Sequence, residues 1–138
     1  MNLSNRKNKA GVVVYRKGAA GSYEVLLVSA RKFPGSWVFP TGTREPGESA
    51  QQTAQRECLE ECGCLVEVGQ QLGEVEANQR IYTYFLGRFN GWEGTREEDR
   101  QLEWVPLAKV AGRVPAVFRP VAEAAVKVLE GEDGESSG

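Results

Sequence analysis

The sequence contains no histidine, and its 138 residues include one methionine and three cysteines. Without histidine, Ser-His-Asp triads, histidine general bases and the usual zinc sites are excluded. Cys58, Cys62 and Cys64 lie within seven positions, and an odd number of cysteines so closely spaced is a poor disulfide framework. Any chemistry must therefore rest on carboxylates, Lys, Arg, Tyr or Cys, and the cysteine usage predicts a reduced, cytoplasmic location.

Long apolar runs are also missing. No segment approaches the roughly 20 apolar residues of a membrane span, and the basic residues 1–9 are not followed by the apolar core of a signal peptide. A formal net charge of -2 predicts no strong attraction to nucleic acid or to an acidic membrane. The length predicts one domain, at residues 10–130, between a flexible N-terminus at 1–9 and a disordered tail at 131–138.

The pattern of apolar and turn-forming residues predicts strands and two helices. Extended segments are expected at residues 10–16, 23–30, 37–39, 65–75, 80–89 and 102–105, with loops at 40–47 and 90–100. Helices are expected at residues 49–62 and 120–129. Ser49 with Gln52 three residues later forms a capping box, and Gly63 is a natural C-terminal stop. Strands mixed with two helices predict an α/β or α+β domain.

Three acidic residues on the first helix, Glu57, Glu60 and Glu61, span about 100° of its surface. Like charges on one narrow face destabilise a helix unless a positive group lies among them. Carboxylate oxygens suit a hard divalent cation such as Mg²⁺ or Mn²⁺. The alternative is a solvated acidic face with Arg56 as its partner, on a domain that mediates interactions and has no ligand chemistry.

The surrounding residues favour the first of these interpretations. Residues 42–64, GTREPGESAQQTAQRECLEECGC, resemble the Nudix box, G-x5-E-x7-R-E-U-x-E-E-x-G-U, in which U is bulky and apolar. Two of the U positions hold Cys58 and Cys64, and cysteine behaves as a small hydrophobe. With residues 37–40 (WVFP) and the later Glu103 and Trp104, the resemblance extends over residues 10–130. All the fixed positions of the box are present: Gly42, Glu48, Arg56, Glu57, Glu60, Glu61 and Gly63.

The resemblance implies an α-β-α sandwich with a mixed sheet between helices, and hydrolysis of a phosphoanhydride bond. It implies that Glu57, Glu60 and Glu61 bind the metal, with the Gly42 carbonyl as a further ligand, while Arg56 braces a neighbouring carboxylate. The metal, Mg²⁺ or Mn²⁺, would neutralise phosphate oxygens and activate water. The identity of the general base stays open between Glu57 and the loop acids Glu97, Glu98 and Asp99.

The segments 24–48 and 80–107 resemble the branch that hydrolyses diphosphoinositol polyphosphates and diadenosine polyphosphates. In that branch Tyr82 would stack on a base; the alternative is that Tyr82 and Tyr84 simply alternate on one strand face. Thr41 and Thr43 depart from the lysine and the second glycine common at these positions. Arginine and lysine suit oxyanions, and we expect the cationic rim for substrate to consist of Arg31, Lys32, Arg44 and Arg80, together with Arg88.

The expected partner is a small polyphosphate, with no nucleic acid or membrane, and the expected assembly is a monomer or homodimer. Two further alternatives remain within the resemblance. One is a nucleotide-sensing regulatory domain without catalysis, and the other is an enzyme acting on nucleoside triphosphates or sugar nucleotides. Every glutamate of the box is retained, which favours a working hydrolase.

Overall fold

The computed structural model describes residues 8–31 and 35–137, with side chains described as far as residue 131. The elements of this part of the chain are β1 (Asn8–Lys17), β2 (Tyr23–Ser29), β3 (Trp37–Val38), β4 (Thr41–Thr43), α1 (Ala50–Cys62), β5 (Cys64–Ala77), β6 (Arg80–Trp92), β7 (Leu102–Pro106), α2 (Leu107–Val110), a 3-10 helix (Ala116–Phe118) and α3 (Arg119–Ser137). None of the described helices is long and apolar enough to cross a membrane.

Strand β1 is the centre of one mixed sheet whose main order is β3-β2-β1-β6-β5. It lies parallel to β6, with which it pairs over most of its length. Along its other edge it pairs antiparallel with β4 near its N-terminus and with β2 near its C-terminus. Strand β7 pairs antiparallel with β2. Strands β4 and β6 therefore lie on the two sides of β1 near its N-terminus. The site described below is at this end of the sheet.

The two faces of the sheet carry separate apolar cores, as the alternation of side chains along a strand requires. Val13 and Leu27 pack on the face covered by α2 and α3, whereas Val12 and Leu26 pack on the face covered by α1. Helices thus cover both faces of a mixed sheet. The predicted fold class, an α-β-α sandwich of the α/β or α+β type, is confirmed.

Helix α1 begins and ends where its local sequence predicted. The Ser49 hydroxyl accepts a hydrogen bond from the Gln52 backbone N–H (3.1 Å), and the Gln52 side chain accepts one from the Ser49 N–H (2.9 Å). Gly63 adopts φ of 65°, and its N–H donates to the Leu59 carbonyl at 2.8 Å. Glycine enters this left-handed region without the steric penalty of a Cβ atom.

The other differences from the predicted elements arise from pairing and packing. The predicted loop 40–47 contains β4, because Thr41–Thr43 pairs with the start of β1. Strand β6 runs on to Trp92, inside the predicted loop 90–100, because β5 continues to pair with it there. The short helix α2 and the 3-10 helix were not predicted. The backbone of α3 continues to Ser137, past the predicted helix end at Leu129 and through most of the segment predicted to be disordered.

Candidate active site

Strand β4 and helix α1 meet where Gly42 lies against the side chain of Glu57. A Cβ atom added to Gly42 would overlap the Glu57 carboxylate, so the close approach depends on the absence of a side chain. Antiparallel pairing holds Gly42 opposite Ala10 of β1. Gly42 therefore allows the backbone of β4 to approach Glu57 of the acidic cluster closely.

Arg56 joins the loop before α1 to the acidic side of the helix. Its guanidinium donates two hydrogen bonds to Glu48, from Nε (2.6 Å) and from Nη2 (2.9 Å), and a third from Nη1 to Glu57 (2.8 Å). Nη2 also donates to the Thr43 carbonyl at 3.1 Å. Such a planar, multidentate arrangement is specific to arginine. It fixes the orientation of Glu57 relative to β4, as the predicted bracing role of Arg56 requires.

The same contacts stabilise the ionised form of Glu48. The Arg56 guanidinium, followed by the backbone N–H of Glu45, lowers the pKa of Glu48 from its ordinary 4.5 to about 2. The Thr53 hydroxyl donates a further hydrogen bond to this carboxylate at 2.9 Å. Its negative charge is also favoured by its place just before the N-terminus of α1. The pKa of Arg56 is raised in turn, mainly by Glu48.

Glu61 is buried, with only 4% of its surface exposed, and its carboxylate lies beside that of Glu57. Burial is the main cause that raises its pKa to about 8, and the Glu57 carboxylate raises it further, whereas Arg100 acts in the opposite direction. The Thr41 N–H points at Oε1 of Glu61 from 3.4 Å. Two carboxylates held together away from water fit a hard divalent cation, which would offset both charges.

Glu60 does not join this pair in the structure. Its side chain is 54% exposed and lies against Nη1 of Arg56, at 3.2 Å from Oε2. Within the described ranges, no three Asp, Glu or Cys side chains are close enough together to hold a metal ion. Of the predicted ligand set, the structure thus assembles Glu57, Glu61 and Gly42, and leaves Glu60 paired with arginine.

Sequence reasoning did not single out Arg100, whose side chain is only 11% exposed and whose Nη2 lies 3.9 Å from Oε2 of Glu61. Its Nη1 donates to the Ser29 carbonyl (2.8 Å) and its Nε to Glu97 (3.0 Å). The only signal in the sequence is an arginine that ends the acidic run EEDR just before β7. Its role depends on the folding of residues 93–101 back toward α1.

The loop acids weighed as general bases belong to this same network. Arg31 binds Asp99 through two hydrogen bonds of 2.8 Å each and lies 3.1 Å from Glu97. The Arg31 guanidinium lowers the pKa of Asp99, and Asp99 raises that of Arg31. Glu98 is exposed. Two of the three loop acids are therefore engaged by arginine.

Two further candidates for substrate binding, Arg44 and Arg80, lie around the same end of the sheet, whereas Arg88 lies at the opposite end, beside Tyr15 of β1 and paired with Glu67. Arg44 is exposed, and its Nε donates to the Glu48 carbonyl at 2.6 Å. Arg80 begins β6, next to the pairing of Ile81 with Asn8 of β1. Lys32 lies outside the described residues.

Tyr82 and Tyr84 share one face of β6, as their alternation predicts. Their rings stack with centroids 6.4 Å apart, and Phe118 contacts both edge-on. The register places Tyr82 next to Lys9, whose other neighbour is Thr43 of β4. The Tyr84 hydroxyl lies 3.1 Å from that of Thr41, and burial raises its pKa. An aromatic wall therefore flanks β4 on the side away from α1.

The three cysteines are free and buried in the apolar core between α1 and the sheet. The neighbouring thiols of Cys62 and Cys64, followed by burial, raise the pKa of Cys58. A thiol whose pKa is raised is a poor nucleophile and a poor metal ligand. The prediction that these residues pack as small apolar side chains is confirmed.

Comparison with known proteins decides the family. The NUDIX domain matches residues 5–127, which is most of the chain. This protein belongs to the NUDIX family. Among its curated relatives, the diphosphoinositol polyphosphate phosphohydrolase 3-beta of Bos taurus is 39% identical over 88 residues, covering 59% of this chain and 54% of the relative. The human 3-alpha protein gives the same identity and coverage. The NUDIX chain spans about half the length of these relatives.

Solved structures support the same assignment. A binary complex of the C. elegans Ap4A hydrolase superposes with a TM-score of 0.75 at 26% identity, covering 91% of this NUDIX chain and 98% of the other. A MutT structure from work on Aliivibrio salmonicida and Vibrio cholerae gives a TM-score of 0.71 at 28% identity, covering 86% and 95%. The predicted resemblance, to the family and to its diphosphoinositol and diadenosine polyphosphate branch, is confirmed.

Proposed function

We propose that this protein is a divalent-metal-dependent hydrolase that cleaves a phosphoanhydride bond in a small polyphosphorylated substrate. The observation that carries the proposal is the adjacent carboxylates of the partly buried Glu57 and the buried Glu61, braced by Arg56 and set against the backbone of Gly42. Two adjacent carboxylates in a largely desolvated place are costly even with arginines nearby, so such a pair persists where a cation or catalysis requires it. The NUDIX relatives named as phosphohydrolases support the same reaction.

In this proposal Glu57 and Glu61 hold Mg²⁺ or Mn²⁺, and the Gly42 carbonyl is a further ligand. Glu60, exposed and paired with Arg56, would complete the set when it leaves that arginine. When bound, the metal neutralises phosphate oxygens and lowers the pKa of water. Arg56 keeps the Glu57 carboxylate oriented toward β4 through its bonds to Glu48 and Thr43.

The general base is proposed to be Glu57 rather than an acid of the loop. Arg31 donates two hydrogen bonds to Asp99 and lowers the pKa of this carboxylate, which weakens it as a base. Glu97 is occupied by a hydrogen bond from Arg100. Glu57 also accepts a hydrogen bond from Arg56, but it lies in the carboxylate pair, where a water molecule bound at the same site would be within its reach. Glu98 remains the alternative in the loop.

We propose a diadenosine polyphosphate or a diphosphoinositol polyphosphate as the substrate. The relatives named for the latter and the structure named for Ap4A support this class. A polyanion needs several cations at the rim, and the candidates are Arg31, Lys32, Arg44 and Arg80. Tyr82, half-buried at the end of the aromatic wall, would contact a base.

One panel tests both levels of the proposal. Diadenosine polyphosphates, diphosphoinositol polyphosphates, nucleoside triphosphates and sugar nucleotides are incubated with Mg²⁺, with Mn²⁺ and with a chelator, and the phosphorylated products are identified. We expect metal-dependent turnover of the first two classes. Binding of a nucleotide without turnover would identify a sensing domain and refute the hydrolase. Preference for a triphosphate or a sugar nucleotide would refute only the substrate class.

A further inference from the structure

Arg100 brings a positive charge to the carboxylate pair from outside the Nudix box. Its Nη2 lies 3.9 Å from Oε2 of Glu61, in a position where both side chains are nearly buried, at 11% and 6% exposure. This distance is longer than a hydrogen bond, so the contact is one of charge rather than of directional bonding. Water screens such a buried contact weakly.

The guanidinium cannot easily withdraw. Nη1 donates to the Ser29 carbonyl at 2.8 Å and Nε to Glu97 at 3.0 Å. The next residue is clamped as well, since the Gln101 N–H donates to the Ser29 hydroxyl (2.8 Å) and the Gln101 carbonyl accepts from the Ser29 N–H (2.9 Å). These bonds fasten the end of the 93–101 loop to β2, and the charge at Glu61 is therefore a fixed part of the fold.

We propose that Arg100 is a resident counter-cation of the carboxylate pair, and that it lowers the affinity of Glu57 and Glu61 for a divalent cation. The inference rests on the proposed metal site. Arg100 favours metal binding by orienting Glu61 and by opposing its protonation, and it disfavours metal binding by repelling a second cation. The contact exceeds hydrogen-bond length, so orientation is weak. The repulsion of a divalent charge also exceeds the attraction to the single charge of Glu61, so repulsion dominates.

Binding of Mn²⁺ to the substrate-free protein, followed by electron paramagnetic resonance, tests the sign. Arg100→Gln should bind Mn²⁺ about tenfold or more tightly than the wild type, since it removes the repelling charge. Arg100→Lys retains the charge and should bind Mn²⁺ within about threefold of the wild type. Unchanged or weaker binding by Arg100→Gln would show that orientation outweighs repulsion and would overturn the proposal.

A second variant keeps the test decisive if Arg100→Gln does not fold, as judged from its thermal melt. Glu97→Gln leaves Arg100 in place and removes the carboxylate that partly offsets it. The repulsion at Glu61 then increases, and Mn²⁺ should bind several-fold more weakly, about threefold or more. Unchanged or tighter binding by Glu97→Gln would contradict the proposal.

Two controls separate this inference from the metal site on which it rests. Arg113→Gln removes the same charge from an ion pair with Glu103 and should leave Mn²⁺ affinity unchanged. If Arg113→Gln and Arg100→Gln increased the affinity for Mn²⁺ equally, the effect would come from net charge alone. That result would overturn the proposed role of Arg100 at the carboxylate pair. The double variant Glu57→Gln, Glu61→Gln should lose the bound Mn²⁺. If it binds Mn²⁺ as the wild type does, the proposed metal site itself is wrong.

Discussion

Arg56 holds Glu48 in a bidentate pair, with Nε 2.6 Å from Oε2 and Nη2 2.9 Å from Oε1. The two residues lie eight positions apart, one before α1 and one at its midpoint. The pair therefore fixes the approach of the loop to the helix. A third bond extends the same guanidinium to Glu57, which links the conformation of the loop to the orientation of a proposed metal ligand.

Replacing Arg56 tests this link. Arg56→Lys keeps the positive charge but removes the planar guanidinium, so Glu48 and Glu57 are no longer held by one rigid group. We expect kcat to fall by roughly 10- to 100-fold, because a misplaced Glu57 would position the metal poorly. The melting temperature should also fall, because the hydrogen bonds from Arg56 to Glu48 are lost. Steady-state kinetics and thermal melts measure both. Arg44→Lys, at an exposed position, should melt like the wild type, and an Arg56→Lys variant with wild-type kcat would refute the bracing role.

Removing one carboxylate of the pair should separate activity from stability. Glu57→Gln or Glu61→Gln should lower turnover by about 10²- to 10³-fold through lost electrostatic stabilisation. Above about pH 8, where both carboxylates are ionised, the melting temperature of the metal-free protein should stay equal or rise, since one of two adjacent charges disappears. Glu67→Gln, exposed and paired with Arg88, is the matched control. Wild-type turnover by purified Glu61→Gln would contradict the site.

The close approach at Gly42 predicts a strong effect from a single methyl group. Gly42→Ala places a Cβ atom onto the Glu57 carboxylate, so the carboxylate or β4 must move. We expect a loss of about 1–3 kcal/mol in the free energy of unfolding, as for other overpacked sites, together with reduced turnover. Urea unfolding measures the former. In the control Gly112→Ala, the new Cβ meets only an ordinary contact at 3.7 Å, and activity should be retained.

The lowered pKa of Glu48 predicts how stability depends on pH. With a folded pKa of about 2 against an ordinary 4.5, its ionised form stabilises the fold above pH 4.5, and that contribution is lost as the pH falls toward 2. The urea midpoints of the wild type and Glu48→Gln should therefore differ at about pH 6 and converge as the pH falls to about 2. A constant difference across this range would show that the Glu48 charge is not the stabilising feature.

The cationic rim predicts a specific kinetic signature. Arg31→Ala combined with Lys32→Ala should raise KM for diadenosine or diphosphoinositol polyphosphates more than it lowers kcat, as expected for binding shared by ground and transition states. Arg31 also anchors Asp99, so Asp99→Asn serves as the control that loosens the loop and leaves the cation in place. A fall in kcat shared by both variants would assign Arg31 to loop structure instead of substrate.

Local features of the chain were predictable because their physics is local. The limits of α1 follow from Ser49, Gln52 and Gly63, whose hydrogen bonds join residues a few positions apart. The acidic cluster follows from the helical repeat, and the family follows from the spacing of the box. The apolar runs likewise predicted strands at residues 10–16 and 23–30, where the structure has β1 and β2.

Residue types and their spacing thus establish the family, the α1 helix and its caps, the sheet-forming segments and the acidic face that carries the proposed chemistry. The tertiary structure alone decided that Glu61 is buried while its neighbour Glu60 faces Arg56 and solvent. It also decided that Thr41–Thr43 forms a strand and that Arg100 reaches Glu61 across 39 positions. These outcomes depend on strand pairing and on packing between distant segments, and no local pattern of residue types encodes which segment will lie beside which.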